Sequence, residues 1–144
     1  WRGFNCKGVK YDNFDGCRSC VGGFMGNQQA QKIAVAWDML ADALGDDLRT
    51  IISEVEQGIS ELYSWGGGEF YTVLRAENTS NGRELVIVGA AGKNSMSYLT
   101  EIHKRAKKGG FKSIRLHTLK PKPMLRMGKS LGYAPAETIL RAVL

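Results

Sequence analysis

From Ala30 to Leu44, apolar residues recur every three or four positions: Ile33, Ala36, Trp37, Leu40 and Leu44, with Val35 alongside. That spacing gathers them on one face of a helix, and Gly45 predicts its stop. A second helix is expected from Asp46 to Gln57, with acidic residues in its first turn and Leu48, Ile51, Ile52 and Val55 on one face. After Gly58 the period shortens, and "ISELYSW", "EFYTVLRA" and "ELVIVGA" read as three strands. Asn81-Gly82 predicts a tight hairpin between the last two, because both residues tolerate positive φ, so the three form an antiparallel meander. The third run is almost continuously apolar, as suits a central strand covered on both faces. A helix follows in which Leu99, Ile102 and Ala106 form the apolar stripe. Lys104, Arg105, Lys107 and Lys108 face away, and Gly109-Gly110 closes it. "FKSIRLHT" is the next strand, "PMLRMGKSL" a short helix opened by Pro123, and "AETILRAVL" a last strand.

The pattern fails only at the start. Residues 1–29 are rich in Gly and Asn with neither period, so they read as an irregular arm ahead of a domain at 30–144. No internal repeat is present, and 144 residues suit one domain with a real core. All three cysteines, Cys6, Cys17 and Cys20, lie in the arm. An odd count argues against a closed disulfide framework. A zinc site would need a fourth ligand, and the only histidines, His103 and His117, lie far along the chain. The thiols therefore read as reduced and no metal is expected.

Charge divides the chain. Residues 1–82 carry 7 Lys/Arg against 11 Asp/Glu, a net −4, whereas residues 83–144 carry 13 against 3, a net +10. A basic half attracts phosphate, whether on a nucleotide, a nucleic acid or an acidic protein surface. Nucleic-acid binding is weakened as a reading because only Tyr98, Phe111 and Tyr133 are interleaved with the basic residues, too few for a base-stacking platform. No apolar run approaches the roughly 20 residues that cross a membrane, so a membrane partner is not expected. The chain opens at Trp1 without the basic-then-apolar order of a secretion signal.

The candidate chemistry is in "VGAAGKNSM", residues 88–96, where two glycines and a lysine follow an apolar strand. A nucleotide-binding P-loop requires Gly-x-x-x-x-Gly-Lys-Ser/Thr, so that backbone amides wrap phosphate and a hydroxyl reaches magnesium. Gly89-Ala90-Ala91-Gly92-Lys93-Asn94 is two residues short and lacks the hydroxyl. The dinucleotide fingerprint fails too. A plain strand-to-helix turn capped by Asn94 or Ser95 is the alternative.

The order from Ala30 onward resembles the GNAT acetyltransferase fold: two helices, three meander strands, a loop, a helix, a strand, a short helix ending at Gly132-Tyr133, and a final strand. The resemblance implies an α/β (α+β) class with a mixed, mostly antiparallel central sheet flanked by helices. In that family the loop after the meander carries Gln/Arg-x-x-Gly-x-Gly/Ala, whose amides and helix N-terminus bind the pyrophosphate of acetyl-CoA. The matching positions run from Ala90 to Ser95, with Ala90 in place of the basic or amide residue and Lys93 in place of the middle glycine. Gly92, Lys93, Asn94, Ser95 and Ser97 remain as candidate cofactor contacts. The family's tyrosine acid, four residues before the Gly-Phe/Tyr pair, falls on Gly128, which has no proton to give. Glu69 and Glu84 are the nearest candidate bases, but strand-edge glutamates are usually solvated. Alternation puts Ser113, Arg115 and His117 on one strand face, whereas His103, among lysines, is expected to face solvent.

Within that family the run "ELVIVGAAGK…GGFKSIRLHTLKPKPMLRMGKSLGYAPAETILRAVL" is similar to degenerate members encoded by bacteriophages, with their "G-x-x-S-I-R-x-H-T" strand. That implies a virion or head/tail assembly component, catalytically weak or inactive, found in the virion or host cytoplasm. It would dock on assembly proteins through residues 1–29 and need no cofactor. A working acetyl-CoA-dependent N-acetyltransferase with an unidentified amine acceptor is the competing expectation.

Overall fold

A computed structural model of the chain describes Val9–Tyr11 and residues 26–144. The elements in chain order are β1 (Val9–Tyr11), α1 (Gly26–Leu44), α2 (Leu48–Glu56), β2 (Glu61–Trp65), β3 (Phe70–Thr79), β4 (Gly82–Gly92), α3 (Ser95–Lys108), β5 (Ser113–Leu116) and α4 (Pro121–Gly128). One-turn 3₁₀ segments at Gly45–Asp47 and Lys129–Leu131 follow α1 and α4. The strands form one five-stranded sheet in the order β1-β2-β3-β4-β5. β2-β3 and β3-β4 are antiparallel and hold most of the paired residues, whereas β1-β2 and β4-β5 are parallel. The molecule is thus a mixed α/β fold with a mostly antiparallel central sheet flanked by helices.

Two apolar layers cover the two faces of the sheet. Ala36, Leu40 and Leu44 of α1, with Ile51 and Val55 of α2, pack on Leu62, Tyr71, Val73, Val86 and Val88. On the other face Leu99, Ile102 and Ala106 of α3 pack on Tyr63, Trp65, Phe70, Leu74, Leu85 and Ile87. The central strand is therefore buried on both sides, as its continuous apolar run predicts.

A register shift between Val73 and Leu74 is the device that the alternation pattern does not reveal. It leaves Val88 and Gly89 both toward α1. Val88 belongs to the α1-side layer, and a Cβ on Gly89 would meet Leu44 Cδ2 at 2.6 Å. The bulge thus turns the end of β4 before the loop begins, as bulges beside functional loops do.

Several expectations are corrected at element ends. α1 begins at Gly26, ahead of Ala30, and Val9–Tyr11 pairs with Leu62–Ser64, so part of the 1–29 stretch joins the sheet. The remainder of that stretch before Gly26, with Cys6, Cys17 and Cys20, lies outside the described residues. In the hairpin Gly82 alone takes positive φ, at 117°; Asn81 does not. The largest correction is the last strand: residues 136–144 form none, and Ile139, Leu140, Val143 and Leu144 are 79% to 117% exposed. Propensity made that segment a strand candidate, but without pairing or cover it has no sheet to join. Among the described residues no helix is long and apolar enough to cross a membrane.

Candidate functional site

The loop from β4 into α3 is tied down by one residue of the opposite turn. Gly92 adopts φ of 133°, open to glycine and costly for other residues, and its backbone lies against β3, so that an added Cβ would stand 2.7 Å from Phe70 Cα and collide with the Glu69 carbonyl. The Lys93 N–H donates to that same carbonyl at 2.9 Å. Asn94 follows in the left-handed region (φ 57°, ψ 34°), which asparagine tolerates better than other residues with a Cβ. It precedes α3 as the N-cap residue, but its side chain makes no capping bond. Instead Asn94 Nδ2 donates to Glu69 Oε1 at 2.6 Å, and the Tyr98 hydroxyl donates to Glu69 Oε2. Tyr98 itself stacks on Phe70, centroids 5.6 Å apart, and leans on Trp65.

The structure therefore brings Gly92, Lys93, Asn94, Ser95 and Ser97 together at the start of α3, as their sequence adjacency requires. It adds Glu69, which has left the solvated role expected of it. The Lys93 amide and the Asn94 side chain are committed to Glu69, while the Lys93 side chain is exposed. A carboxylate beside the first turn of α3 is favourable there, because a helix N-terminus carries a partial positive charge.

Beside the loop, β4 outruns its neighbour. The last pair between β4 and β5 is Ile87 with Leu116, and the final bond is from His117 N–H to the Ile87 carbonyl at 3.0 Å. From Val88 to Gly92 the strand continues with β3 alone, leaving its other edge without a strand partner among the described residues.

At the position of the missing acid, Gly128 is buried and covered by the Tyr133 ring: an added Cβ would lie 2.7 Å from Tyr133 Cδ2. The Tyr133 hydroxyl is 2.7 Å from His103 Nε2. Burial pushes the Tyr133 hydroxyl up to about 12 and holds His103 below its ordinary range. Both groups are thus neutral near pH 7, and which of them donates follows the His103 tautomer. His103 is half-buried, not solvent-facing as expected: it latches the segment after α4 onto α3.

A charged network lies where the α1/α2 side of the sheet runs out of helix cover. Glu77 and Glu84 are register partners on β3 and β4, and Arg115 of β5 bridges them at 2.7 and 2.9 Å. Arg75 reaches Glu77 at 2.9 Å and Glu54 of α2 at 3.3 Å. Burial raises the Glu77 pKa, but Arg115 and Arg75 together outweigh it and hold the carboxyl below its ordinary value. Glu84 is spent on Arg115 and Ser113, so it is no free base. Arg115 Nε donates to His117 Nε2 at 3.3 Å, which occupies the lone pair that a histidine base would use. Desolvation first, then the charges of Arg115 and Arg75, keep His117 below its ordinary range against the opposing pull of Glu77 and Glu137. Among the described residues no cluster of His, Cys, Asp or Glu could hold a metal ion.

Sequence reasoning missed the Glu69–Asn94–Tyr98 knot and the His103–Tyr133 pair. Each joins residues 25 to 30 positions apart. The one signal for the first was the Gly66-Gly67-Gly68 turn, which returns Glu69 toward the loop.

No family model and no curated protein matches the chain. Solved structures similar to it include the wild type and a point mutant of TTHA1254 from Thermus thermophilus. Each is 18% identical, covering 75% of this chain and 89% of its own, with TM-scores of 0.47 for the wild type and 0.49 for the mutant.

Proposed function

We propose that this chain is a GNAT-like domain, catalytically weak or inactive, that works through protein–protein contacts as a component of a bacteriophage virion or head/tail assembly. The observation that carries the non-catalytic reading is the Glu69 knot. A pyrophosphate cradle needs free donors and positive charge at the start of α3. Here one loop amide and the Asn94 side chain are turned onto Glu69, and its carboxylate brings negative charge to the end an anion would approach. The exposed Lys93 side chain is a single cation against that. Gly128, sealed under Tyr133, supplies no acid and has no room for one. The residues at the start of α3 therefore do not suit the pyrophosphate of acetyl-CoA. The phage setting rests on the similarity of the run from Glu84 to Leu144 to phage-encoded members, and docking through the rest of the stretch ahead of α1 on its aromatic residues Trp1, Phe4, Phe14 and Phe24.

Calorimetric titration with acetyl-CoA tests this reading. We expect no saturable heat at millimolar ligand. Saturable binding that weakens about tenfold or more in Lys93→Ala would overturn it, since a charge-assisted phosphate contact contributes on the order of 1.5–3 kcal/mol.

The unpaired edge of β4 from Val88 to Gly92 favours one second reading. An extended, amide-bearing ligand such as the arm of acetyl-CoA could add there as a strand does, and the protein would then be an N-acetyltransferase with an unidentified amine acceptor. The same titration separates the two.

A further inference from the structure

We propose that the outer face of α3 and the adjoining α4 segment bind the phosphate backbone of a nucleic-acid duplex without reading its bases. Between residues 93 and 132 the chain carries 11 Lys/Arg and a single carboxylate, Glu101, which is paired with Arg105. Lys104, Lys107 and Lys108 recur at helical spacing opposite the buried Leu99, Ile102 and Ala106, so they form one outward stripe on α3. The His103–Tyr133 contact, 2.7 Å long, carries the charge across to the next element. His103 lies one helical turn before Lys107, and Tyr133 closes back on Gly128, which sets Lys129 and the end of α4 beside the stripe. Lys120, Lys122, Arg126 and Lys129 are all exposed, and none of these seven cations is in an ion pair among the described residues. Helix dipoles account for part of the pattern, because cations suit the last turn of α3. They do not account for Lys120 and Lys122, which stand at the N-terminal end of α4, where the dipole disfavours them.

Such a field draws any polyanion, and the side chains that make it select among them. All but Arg126 are lysines, point charges that meet phosphate without fixed geometry. The arginines that suit bidentate carboxylates, Arg75, Arg105 and Arg115, are spent on the protein's own glutamates. That favours phosphate over an acidic protein. The outward stripe of α3 includes no large apolar residue to enter a membrane. Tyr98 is stacked on Phe70, Phe111 is covered by Arg83, and Tyr133 is folded over Gly128, so the aromatics among the basic residues do not offer a platform to unpaired bases. A duplex carries about one charge per 1.7 Å of axis with its bases enclosed, and so it matches lysines that have no aromatic partner in the task.

The inference stands apart from the cofactor question, because the stripe lies toward the opposite end of α3 from Gly92 and Ser95. Fluorescence anisotropy of the full chain with labelled DNA and RNA duplexes of about 30 base pairs and arbitrary sequence tests it. Micromolar binding is expected at roughly 50 mM salt, with affinity falling about 100-fold by roughly 200 mM, as about four phosphate contacts require. The triple variant Lys104→Gln, Lys107→Gln and Lys108→Gln should bind at least about tenfold more weakly, with a shallower salt dependence. Lys107→Gln and Arg49→Gln change net charge equally, but Arg49 is exposed on α2, on the other side of the sheet. Only Lys107→Gln should weaken binding and reduce the slope of log affinity against log salt, by about 0.9. Every substituted side chain is exposed, and circular dichroism checks that each variant folds. Absence of saturable binding to either duplex, a triple variant that binds like the wild type, an equal loss in Arg49→Gln, or equal or tighter binding to single strands, poly-glutamate or phosphatidylserine vesicles would each overturn the proposal.

Discussion

Three side chains hold together what the chain separates, and each can be removed singly. Glu69 accepts from both Asn94 and Tyr98, so Glu69→Ala removes the acceptor that ties α3 to the β2–β3 turn. We expect a stability loss of about 1–2 kcal/mol, measured as a shift in urea midpoint, with the loop freed to move. Arg115 keeps Glu77 and Glu84 from repelling each other across β3 and β4. Because the Glu77 carboxyl titrates below its ordinary 4.5, its contribution is complete above that value and is lost as pH falls through the lower, folded-state value. Arg115→Ala should therefore cost on the order of 1–2 kcal/mol near neutrality. It should also flatten the acid limb of stability below pH 4.5, which urea titrations over the acid range would show. His103 follows the same sign: its folded value lies below the ordinary 6.5, so its contribution is full above that and fades as pH drops further.

At the scale of elements, the 3.6-residue and two-residue periods carry most of the fold. The stripe of Leu99, Ile102 and Ala106 is the buried face of α3, and Ile51 and Val55 bury α2. Those periods report which side is apolar, so they find elements whose cover lies within the chain. They could not find the bulge at Val73/Leu74, where two consecutive residues of β4 face α1, because Gly89 contributes no apolar side chain to count. They also assigned a strand to 136–144 from propensity alone, although pairing rather than propensity makes a strand. The candidate site was legible only as a loop: Gly92 to Ser97 are contiguous, whereas Glu69 and Tyr133 arrive from elsewhere by tertiary packing. Gly128 shows how packing changes a prediction read from spacing. A tyrosine there would not restore an acid but would displace Tyr133. Even Gly128→Ala should cost about 1–3 kcal/mol by overpacking and loosen the His103–Tyr133 pair, visible as a downfield or upfield shift of the His103 ring protons by NMR.

Over the whole molecule the charge division acquires a location. The acidic half supplies α1, α2 and the first meander strands, and the basic half places exposed Lys104, Lys107 and Lys108 on α3 and Lys120, Lys122, Arg126 and Lys129 around α4. Such a surface steers the protein toward acidic partners without specifying one. Mass spectrometry of a purified native particle would show whether those partners are virion proteins. The central claim is narrower: the loop at the start of α3 is closed on Glu69 rather than open to phosphate. Amide NMR spectra of the full chain titrated with acetyl-CoA address it most directly, residue by residue. The account predicts that the amide signals of Gly92, Lys93, Asn94, Ser95 and Ser97 stay in place to millimolar ligand; saturable shifts confined to those amides would contradict it.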